Sequence, residues 1–182
     1  MENIPPRIVP DRDSKYMGMA WMWASFSKDP NTQIGAQIVD SDNIPLGSGY
    51  NGPPRNIDDK KFSWCRPPKD NPQAFSKYDV IIHAEINAIF HSHGKDLRDA
   101  TLYVTAFPCV NCMKEIAKAE IKRVVYFEYQ SDFGSMIRQV QTENSKRVAE
   151  LAQVSVEKFS GNISWLTDWV EKMKENRVFG PQ

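Results

Sequence analysis

The stretch from residue 102 to residue 127 constrains the fold more than any other part of the chain. Residues 102–107 and 124–127 are short runs that are apolar on both faces, and a helical pattern over residues 110–119 separates them. Such runs are typical of strands in the centre of a sheet. A strand–helix–strand unit gives parallel neighbouring strands. The sequence therefore predicts an α/β fold around a parallel strand pair.

The preceding part of the chain predicts a helix and a hairpin. Asp11 or Asp13 can cap a helix that runs to about residue 26, whose apolar residues nearly encircle it and predict burial on most sides. Apolar and polar residues alternate over residues 34–38, which predicts a half-buried strand, and residues 46–50 can return as its hairpin partner. Further helices are predicted over residues 83–93, ending at Gly94, and over residues 135–152, with a short strand over residues 154–159.

We predict a single domain over residues 1–182 with three distinctive segments. Residues 1–10 form a proline-bearing N-terminal arm. Residues 52–80 form an irregular loop insertion that is rich in Pro, Asn, Asp and Lys, and loops of this length are often functional. Residues 162–176 form a C-terminal helix. Its apolar stripe, which favours docking on the protein's own core, consists of Trp165, Leu166, Trp169, Val170 and Met173.

Charge, apolar runs and cysteine count exclude several classes of protein. The chain has 23 Lys and Arg and 23 Asp and Glu residues, and this balance argues against a nucleic-acid partner. The longest apolar run, residues 17–24, is too short to span a bilayer, and its tryptophans fit a buried helix better than a signal peptide. We therefore predict no membrane partner. Cys65, Cys109 and Cys112 do not form a disulfide framework, which favours a cytoplasmic protein.

Cys109 and Cys112 lie in the sequence P-C-V-N-C, directly after a predicted central strand. Thiols at positions i and i+3 face one side of a helix's first turn, where the helix dipole favours thiolate. Such a pair alone could be redox-active, or it could be half of a structural zinc site. The structural site commonly needs a second pair, which Cys65 does not supply. A redox role would leave the His-Ala-Glu sequence and the preceding proline unexplained. The remaining option is a zinc ion held by His83, Cys109 and Cys112 with a fourth position open to water, as in catalytic sites.

This ligand set gives Glu85 a role. Glu85 follows His83 by two residues at the start of a predicted helix, so its carboxylate can face the open position without binding the metal. Zinc lowers the pKa of a bound water from ~16 to ~7, and a nearby carboxylate can then take its proton. We therefore predict that Glu85 is the catalytic acid–base. The alternative is an ordinary helix start with an acid near the positive end of the dipole.

Together the motifs resemble the zinc-dependent cytidine deaminase superfamily and, within it, the deoxycytidylate (dCMP) deaminases. H-A-E-I-N-A-I and P-C-V-N-C match the H-x-E…P-C-x-x-C signature of zinc nucleobase deaminases. S-K-D-P-N-T-Q-I-G-A is similar to the family's S-K-D-P-N-S-Q-V-G-A, and G-Y-N-G-P-P is similar to its G-Y-N-G-x-P. The resemblance implies a three-layer α/β/α sandwich with a mixed five-stranded sheet. It also implies hydrolysis of dCMP to dUMP and ammonia, with one catalytic Zn²⁺ per subunit, supplying dUMP for thymidylate synthesis.

Substrate contacts follow from the same resemblance. The residues implied are Lys28 and Asn31 near the 5′-phosphate, Asn51 near the sugar, the N–H of Ala84 at the pyrimidine O2, and Phe107 together with Pro108. Each of three has an ordinary alternative: Lys28 as a solvated cation at a helix end, Asn31 as a turn residue and Phe107 as a core side chain. Phe26 departs from the pattern, because some members carry a basic residue at this position.

The resemblance further implies a homo-oligomer, either a hexamer or a dimer, and regulation by nucleotides. dCTP would activate the enzyme and dTTP would inhibit it, with Mg²⁺ accompanying these effectors. The residues expected to contribute to the effector site are Gly49, Tyr50, Asn51 and Gly52.

Two other functions stay open at this point. One is deamination of a different substrate, such as dCTP, CMP or cytidine. The flanking motifs disfavour cytidine, and the neutral charge disfavours a polynucleotide. The other is a non-catalytic, zinc-stabilised nucleotide-binding module, in which Glu85 would be dispensable. A panel of cytosine substrates distinguishes these functions.

Overall fold

The central element of the computed structural model, which describes residues 9–127 and 136–175, is a five-stranded sheet. Its strands are β1 Gly35–Val39, β2 Pro45–Tyr50, β3 Thr101–Val104, β4 Arg123–Tyr126 and β5 Ser155–Lys158. Their order across the sheet is β2-β1-β3-β4-β5. β1 pairs antiparallel with β2 and β3, whereas β3, β4 and β5 run parallel. The predicted mixed five-stranded sheet, with a parallel pair at its centre, is confirmed.

Helices cover both faces of this sheet. They are α1 Arg12–Ala24, α2 Ala84–Phe90, α3 Val110–Lys118, α4 Met136–Leu151 and α5 Trp165–Glu175. Because alternate residues of a strand point to opposite faces, Leu102 packs with the α2, α3 and α4 layer while Tyr103 packs with α1. α5 lies on the same side of the sheet as α1, and the Trp165 indole Nε1 donates to the Ser14 carbonyl of α1 at 3.0 Å. The predicted three-layer α/β/α sandwich is confirmed.

α1 and the hairpin form close to their predicted positions. Asp11 is the N-cap of α1, and its carboxylate accepts a hydrogen bond from the Ser14 N–H at 2.9 Å. β1 and β2 form the predicted antiparallel hairpin. The prediction that β1 is half-buried is wrong, since all five of its residues are buried. Neighbouring strands lie on both sides of β1, and both α1 and α2 pack on it.

The buried position of Gln37 explains why alternation misled the prediction for β1. Its side-chain amide donates to the carbonyls of Ile38 and Gly47, both at 3.0 Å, and its oxygen accepts from the Trp23 indole at 3.1 Å. A buried polar side chain is tolerated where its donors and acceptors are paired. A polar residue in the pattern therefore marked a hydrogen-bonded interior position and not a solvent face.

α2 is shorter than predicted because the chain tightens after Phe90. The prediction extended this helix to residue 93, but the Ser92 N–H and Ser92 Oγ both donate to the Ile89 carbonyl, at 3.2 and 2.6 Å. Bonds of this i to i+3 kind close a helix end. His93 and Gly94 then adopt positive φ values of 53° and 78°, so Gly94 has the left-handed conformation expected of a terminator.

The remaining segments lie as follows. Residues 52–80, all of which the structure describes, hold a single 3₁₀ turn at Lys77–Asp79. Most of the predicted arm over residues 1–10 lies outside the described residues. The apolar stripe of α5 contacts α1 through Trp165, and farther along it Trp169 and Val170 are 38% and 44% exposed while Met173 is half-buried. Within residues 9–127 and 136–175, no helix has the length and apolar character needed to cross a membrane.

Candidate metal centre and active site

The two halves of the cysteine–histidine motif meet at the N-termini of α2 and α3. His83 is the N-cap of α2 and Cys109 is the N-cap of α3, and neither forms a side-chain capping hydrogen bond. β3 leads into α3, and a short β-bridge between Gly52 and Ile82 holds the chain just before His83. The sheet therefore brings together two helix starts that are far apart in sequence.

His83, Cys109 and Cys112 present their donor atoms to one another. The His83 Nδ1 lies 3.2 Å from the Cys112 Sγ and 3.5 Å from the Cys109 Sγ, and the three donor atoms all lie within 4.8 Å of one another. Cys112 is buried, Cys109 is half-buried and His83 is exposed, so the cluster reaches the surface on one side. One imidazole nitrogen and two sulfurs form a donor set that fits Zn²⁺, and three protein ligands leave one position of a tetrahedron open.

Protonation of the three donors is coupled. A hydrogen bond with Cys112 lowers the pKa of the Cys109 thiol to about 3, and a hydrogen bond with Cys109 raises the pKa of His83 to about 9. The Cys109 contact, followed by burial, raises the pKa of the Cys112 thiol. The cluster therefore favours a deprotonated Cys109 sulfur next to protonated His83 and Cys112. A bound cation would displace the protons of the last two residues.

Glu85 lies in the first turn of α2 and is almost completely enclosed, with 4% of its surface exposed. Burial raises the pKa of its carboxyl group, while the neighbouring His83 charge opposes this effect. The carboxyl group is in hydrogen-bond contact with the Cys112 side chain. A water-shielded carboxyl with a raised pKa, next to a metal-binding cluster, has the properties of a group that exchanges protons.

The residues predicted for the effector site, Gly49 to Gly52, set the position of α2. A Cβ atom at Gly49 would lie 2.5 Å from both the Ala84 carbonyl oxygen and the Ala88 nitrogen, so β2 can approach the helix start only with glycine there. The Tyr50 carbonyl accepts a hydrogen bond from the Asn87 side chain at 2.8 Å. The effector role of these four residues stays a prediction.

Asn51 is buried and engaged in backbone contacts. Its side-chain oxygen accepts from the Ile34 N–H at 2.8 Å, its amide donates to the Thr32 carbonyl at 2.9 Å, and its own carbonyl accepts from Ser27. Asn51 thus ties the G-Y-N-G segment to the S-K-D-P-N-T segment. A sugar contact would use either the second N–H of its side-chain amide or the second lone pair of its side-chain oxygen.

Lys28 and Asn31 lie in the S-K-D-P-N-T segment and are exposed. The Lys28 ammonium pairs with the Asp59 carboxylate of the long loop at 2.5 Å, and the Asn31 N–H donates to the Asp29 side chain at 2.9 Å. This second contact is a turn formed by the Asp29 side chain, to which Asn31 contributes only its backbone N–H. The phosphate contact of both residues stays a prediction.

Ala84, Phe107 and Pro108 lie at the two helix starts. Ala84 is fully buried in the first turn of α2. The Phe107 ring is half-buried and packs edge-on against Tyr126, with ring centroids 4.9 Å apart. Pro108 is buried, and its carbonyl accepts a hydrogen bond from Ser145 of α4 at 2.8 Å. The sequence patterns did not predict a role for Ser145. The one weak sign that its side chain is buried is its position one helical turn before the buried Ala149.

A buried ion pair between Asp29 and Lys77 was also not predicted. The Lys77 Nζ lies 2.7 Å from an Asp29 carboxylate oxygen, and both side chains are only 4% exposed. The partners are 48 residues apart, and Lys77 lies in a polar loop, so no local pattern indicates the contact. The pair anchors the long loop to the segment that carries Lys28 and Asn31.

Replacement of Lys77 by Met should destabilise the protein by about 3 kcal/mol. Removing one partner of a buried pair typically costs about 3–5 kcal/mol, and Asp29 retains hydrogen bonds from two backbone N–H groups, which favours the low end. The measurement is the free energy of urea unfolding. Adding Asp29→Asn to Lys77→Met should recover part of the loss because it removes the unpaired charge.

A matched control for this prediction is Lys28→Met, which breaks the exposed pair with Asp59 and should leave the unfolding free energy nearly unchanged. Equal losses of unfolding free energy in Lys77→Met and Lys28→Met would show that burial of the Asp29–Lys77 pair does not determine its contribution to stability.

Comparison with known proteins places this geometry in a family. The model of the cytidine and deoxycytidylate deaminase zinc-binding region matches residues 10–128. A deoxycytidylate deaminase of Homo sapiens is 40% identical over 111 residues, which are 61% of this chain and 61% of that protein. The chain thus spans about three fifths of the length of this curated relative. A deoxycytidylate deaminase of Mus musculus is 34% identical over 149 residues, 82% of this chain and 80% of that protein.

A solved structure agrees with these matches. The crystal structure of dCMP deaminase from the cyanophage S-TIM5 in complex with dCMP and dUMP is 26% identical, with a TM-score of 0.63. The alignment covers 84% of this chain and 100% of that chain. Residues 10–128, which match the family model, include both helix starts and the His83, Cys109 and Cys112 cluster. This chain belongs to the cytidine and deoxycytidylate deaminase family.

Proposed function

We propose that the protein is an enzyme that hydrolyses dCMP to dUMP and ammonia, with a zinc ion held by His83, Cys109 and Cys112. The observation that carries this proposal is the buried Glu85 carboxyl beside the three donor atoms, since a module that only binds zinc has no need of it. The curated relatives named deoxycytidylate deaminases and the solved relative with dCMP and dUMP support the choice of substrate. The product would supply dUMP for thymidylate synthesis.

Glu85 would transfer protons in both halves of the reaction. Bound zinc would supply the charge that makes a water molecule acidic and nucleophilic near neutral pH. Glu85 would take one proton from the attacking water and deliver it to N3 of the cytosine while the water oxygen bonds to C4. Glu85 then passes the remaining proton of this oxygen to the amino group, the C4–N bond breaks and ammonia leaves. Water and dCMP thus yield dUMP and ammonia with all atoms accounted for.

The substrate would be oriented by residues around the two helix starts. The Ala84 N–H lies in the first turn of α2, where backbone N–H groups favour an acceptor such as the pyrimidine O2. Phe107 and Pro108 precede Cys109 and would border the base. Asn51 would contact the sugar, and Lys28 and Asn31 the 5′-phosphate. Support for the phosphate contact is the exposure of the Lys28 side chain, whose ammonium group would leave Asp59 to bind the phosphate.

A panel of substrates tests the proposed function. Purified protein loaded with zinc is assayed for ammonia release from dCMP, dCTP, CMP, deoxycytidine and single-stranded DNA. We expect the highest kcat/KM for dCMP, loss of activity with a chelator and recovery with added zinc. A higher kcat/KM for dCTP would indicate a different nucleotide deaminase. Zinc-loaded protein that releases ammonia from no member of the panel would favour the binding module.

Regulation, assembly and location extend this proposal. We infer that dCTP activates and dTTP inhibits the enzyme, with Mg²⁺ accompanying the nucleotides, and that Gly49, Tyr50, Asn51 and Gly52 contribute to the effector site. The same family relationship supports a homo-oligomer, either a dimer or a hexamer. Reduced Cys109 and Cys112 at a zinc site suit the reducing cytoplasm.

A further inference from the structure

Cys109 lies in the turn that leads from β3 into α3. It is the N-cap of α3, with φ −70° and ψ 166°, and it makes no side-chain capping bond. The Phe107-Pro108-Cys109 turn follows directly from β3, and Pro108 has no N–H to donate. The direction of the Cys109 Cα–Cβ bond therefore depends on what holds the peptide groups on either side of this residue, while the thiol itself contacts Cys112.

Both of these peptide groups are held by hydrogen bonds. On the C-terminal side, the Cys109 carbonyl accepts from the Met113 N–H at 2.9 Å, as the first bond of the helix. On the N-terminal side, the Pro108 carbonyl accepts from the Ser145 hydroxyl at 2.8 Å. Because peptide groups are planar, hydrogen bonds to both of them restrain the two backbone torsions of Cys109 and thereby the direction of its Cα–Cβ bond.

Ser145 makes this contact from a buried position on a different helix. Its side chain is fully buried in α4, where the nearby Ala149 is part of the apolar core. A serine within a helix often bonds to a carbonyl of its own preceding turn. Here the hydroxyl instead donates to the turn before α3, 37 residues away in sequence. The contact links α4 to the backbone next to a thiol of the cluster.

A zinc site is sensitive to such a contact because metal–ligand distances are tightly limited. Zinc–sulfur bonds are about 2.3 Å long with a tolerance of about 0.2 Å. A turn that relaxes by a few tenths of an ångström changes whether Cys109 can bind together with His83 and Cys112. Groups that orient metal ligands typically change metal affinity by about 10–100-fold when they are removed.

We propose that Ser145 is a positioning residue for the metal centre, acting through its hydrogen bond to the Pro108 carbonyl to fix the orientation of Cys109. This inference rests on the proposed ligand set. It assigns a role in metal binding to α4, which contributes no donor atom to the His83, Cys109 and Cys112 cluster.

The test is the zinc affinity of the full chain, measured by competition with a chromophoric chelator. Ser145→Ala should weaken zinc binding by about tenfold or more. The matched control is Ser92→Ala, because the Ser92 hydroxyl is also buried and donates to a backbone carbonyl, that of Ile89, at the far end of α2. This control should stay within about twofold of wild type. Cobalt-substituted Ser145→Ala should also show a changed d–d absorption spectrum, which reports ligand geometry directly.

The outcomes separate this inference from the proposed function. Wild-type protein that binds no zinc would overturn both. If wild type and Ser145→Ala bind zinc equally well and have the same cobalt spectrum, only the role of Ser145 is overturned. Equal weakening in Ser145→Ala and Ser92→Ala would also overturn it. Should Ser145→Ala fail to fold, Ser145→Thr and Ser145→Val form an isosteric pair that differs in the hydroxyl. Tighter zinc binding by the Thr variant supports the role, and equal binding overturns it.

Discussion

Replacement of Glu85 by Gln should reduce kcat for dCMP by about 10⁴-fold while zinc content stays near one ion per chain. A positioned acid–base group typically contributes about 10²–10⁴-fold, and Glu85 would serve both proton transfers, which favours the upper end. Gln has nearly the same shape but an amide cannot shuttle protons. Metal analysis and single-turnover assays on the same preparation measure the two quantities.

Stability provides a second readout for this variant. The Glu85 side chain is 4% exposed, so the neutral amide carries a smaller desolvation cost than a carboxylate and folding should not weaken. The matched control is Glu115→Gln on the exposed surface of α3, which should retain wild-type activity. Full activity in Glu85→Gln, with zinc bound, would remove Glu85 from the mechanism and leave the metal site intact.

Replacement of Cys112 by Ser should abolish stoichiometric zinc binding, and activity should be lost with it. The Cys112 sulfur lies 3.2 Å from the His83 Nδ1 within the donor cluster. A serine hydroxyl is a poor zinc ligand because it remains protonated near neutral pH, whereas a thiol gives up its proton to the metal. Zinc per chain, measured after dialysis against a weak chelator, should fall from about one to near zero.

Cys65→Ser provides the control for this prediction. Cys65 is an exposed cysteine of the long loop and lies outside the donor cluster, so its replacement should leave zinc content and activity unchanged. Retention of a full equivalent of zinc by Cys112→Ser, or its loss from Cys65→Ser, would contradict the assignment of ligands. The apo forms of wild type and Cys112→Ser should unfold at similar denaturant concentrations, which separates metal loss from misfolding.

Much of the metal centre was predictable because its geometry is local. Cys109 and Cys112 are three residues apart at a helix start, and His83 and Glu85 are two apart at another, so each pair has a defined relative position once its helix forms. The apolar run before P-C-V-N-C identified the central strand that leads into α3. These short-range relationships were sufficient to predict a three-ligand site with an adjacent acid.

The contacts that support the site were not predictable in the same way. Lys77 pairs with Asp29 across 48 residues, and Ser145 bonds to Pro108 across 37. Neither contact has a periodic pattern, because each depends on which elements the sheet places side by side. Similarly, the alternation in β1 predicted a half-buried strand, whereas Gln37 lies inside a hydrogen-bonded core.

The sequence alone therefore determined the order of the elements, the parallel β3–β4 pair and the identity of the chemical groups. Hydrophobic periodicity and helix-start spacing act over a few residues and can be read along the chain. Tertiary structure decided that α2 and α3 converge, that β1 is covered on both faces, and that α4 holds the turn before Cys109. Those outcomes depend on burial and on pairing between distant segments, which are properties of the packed sheet and helices as a whole.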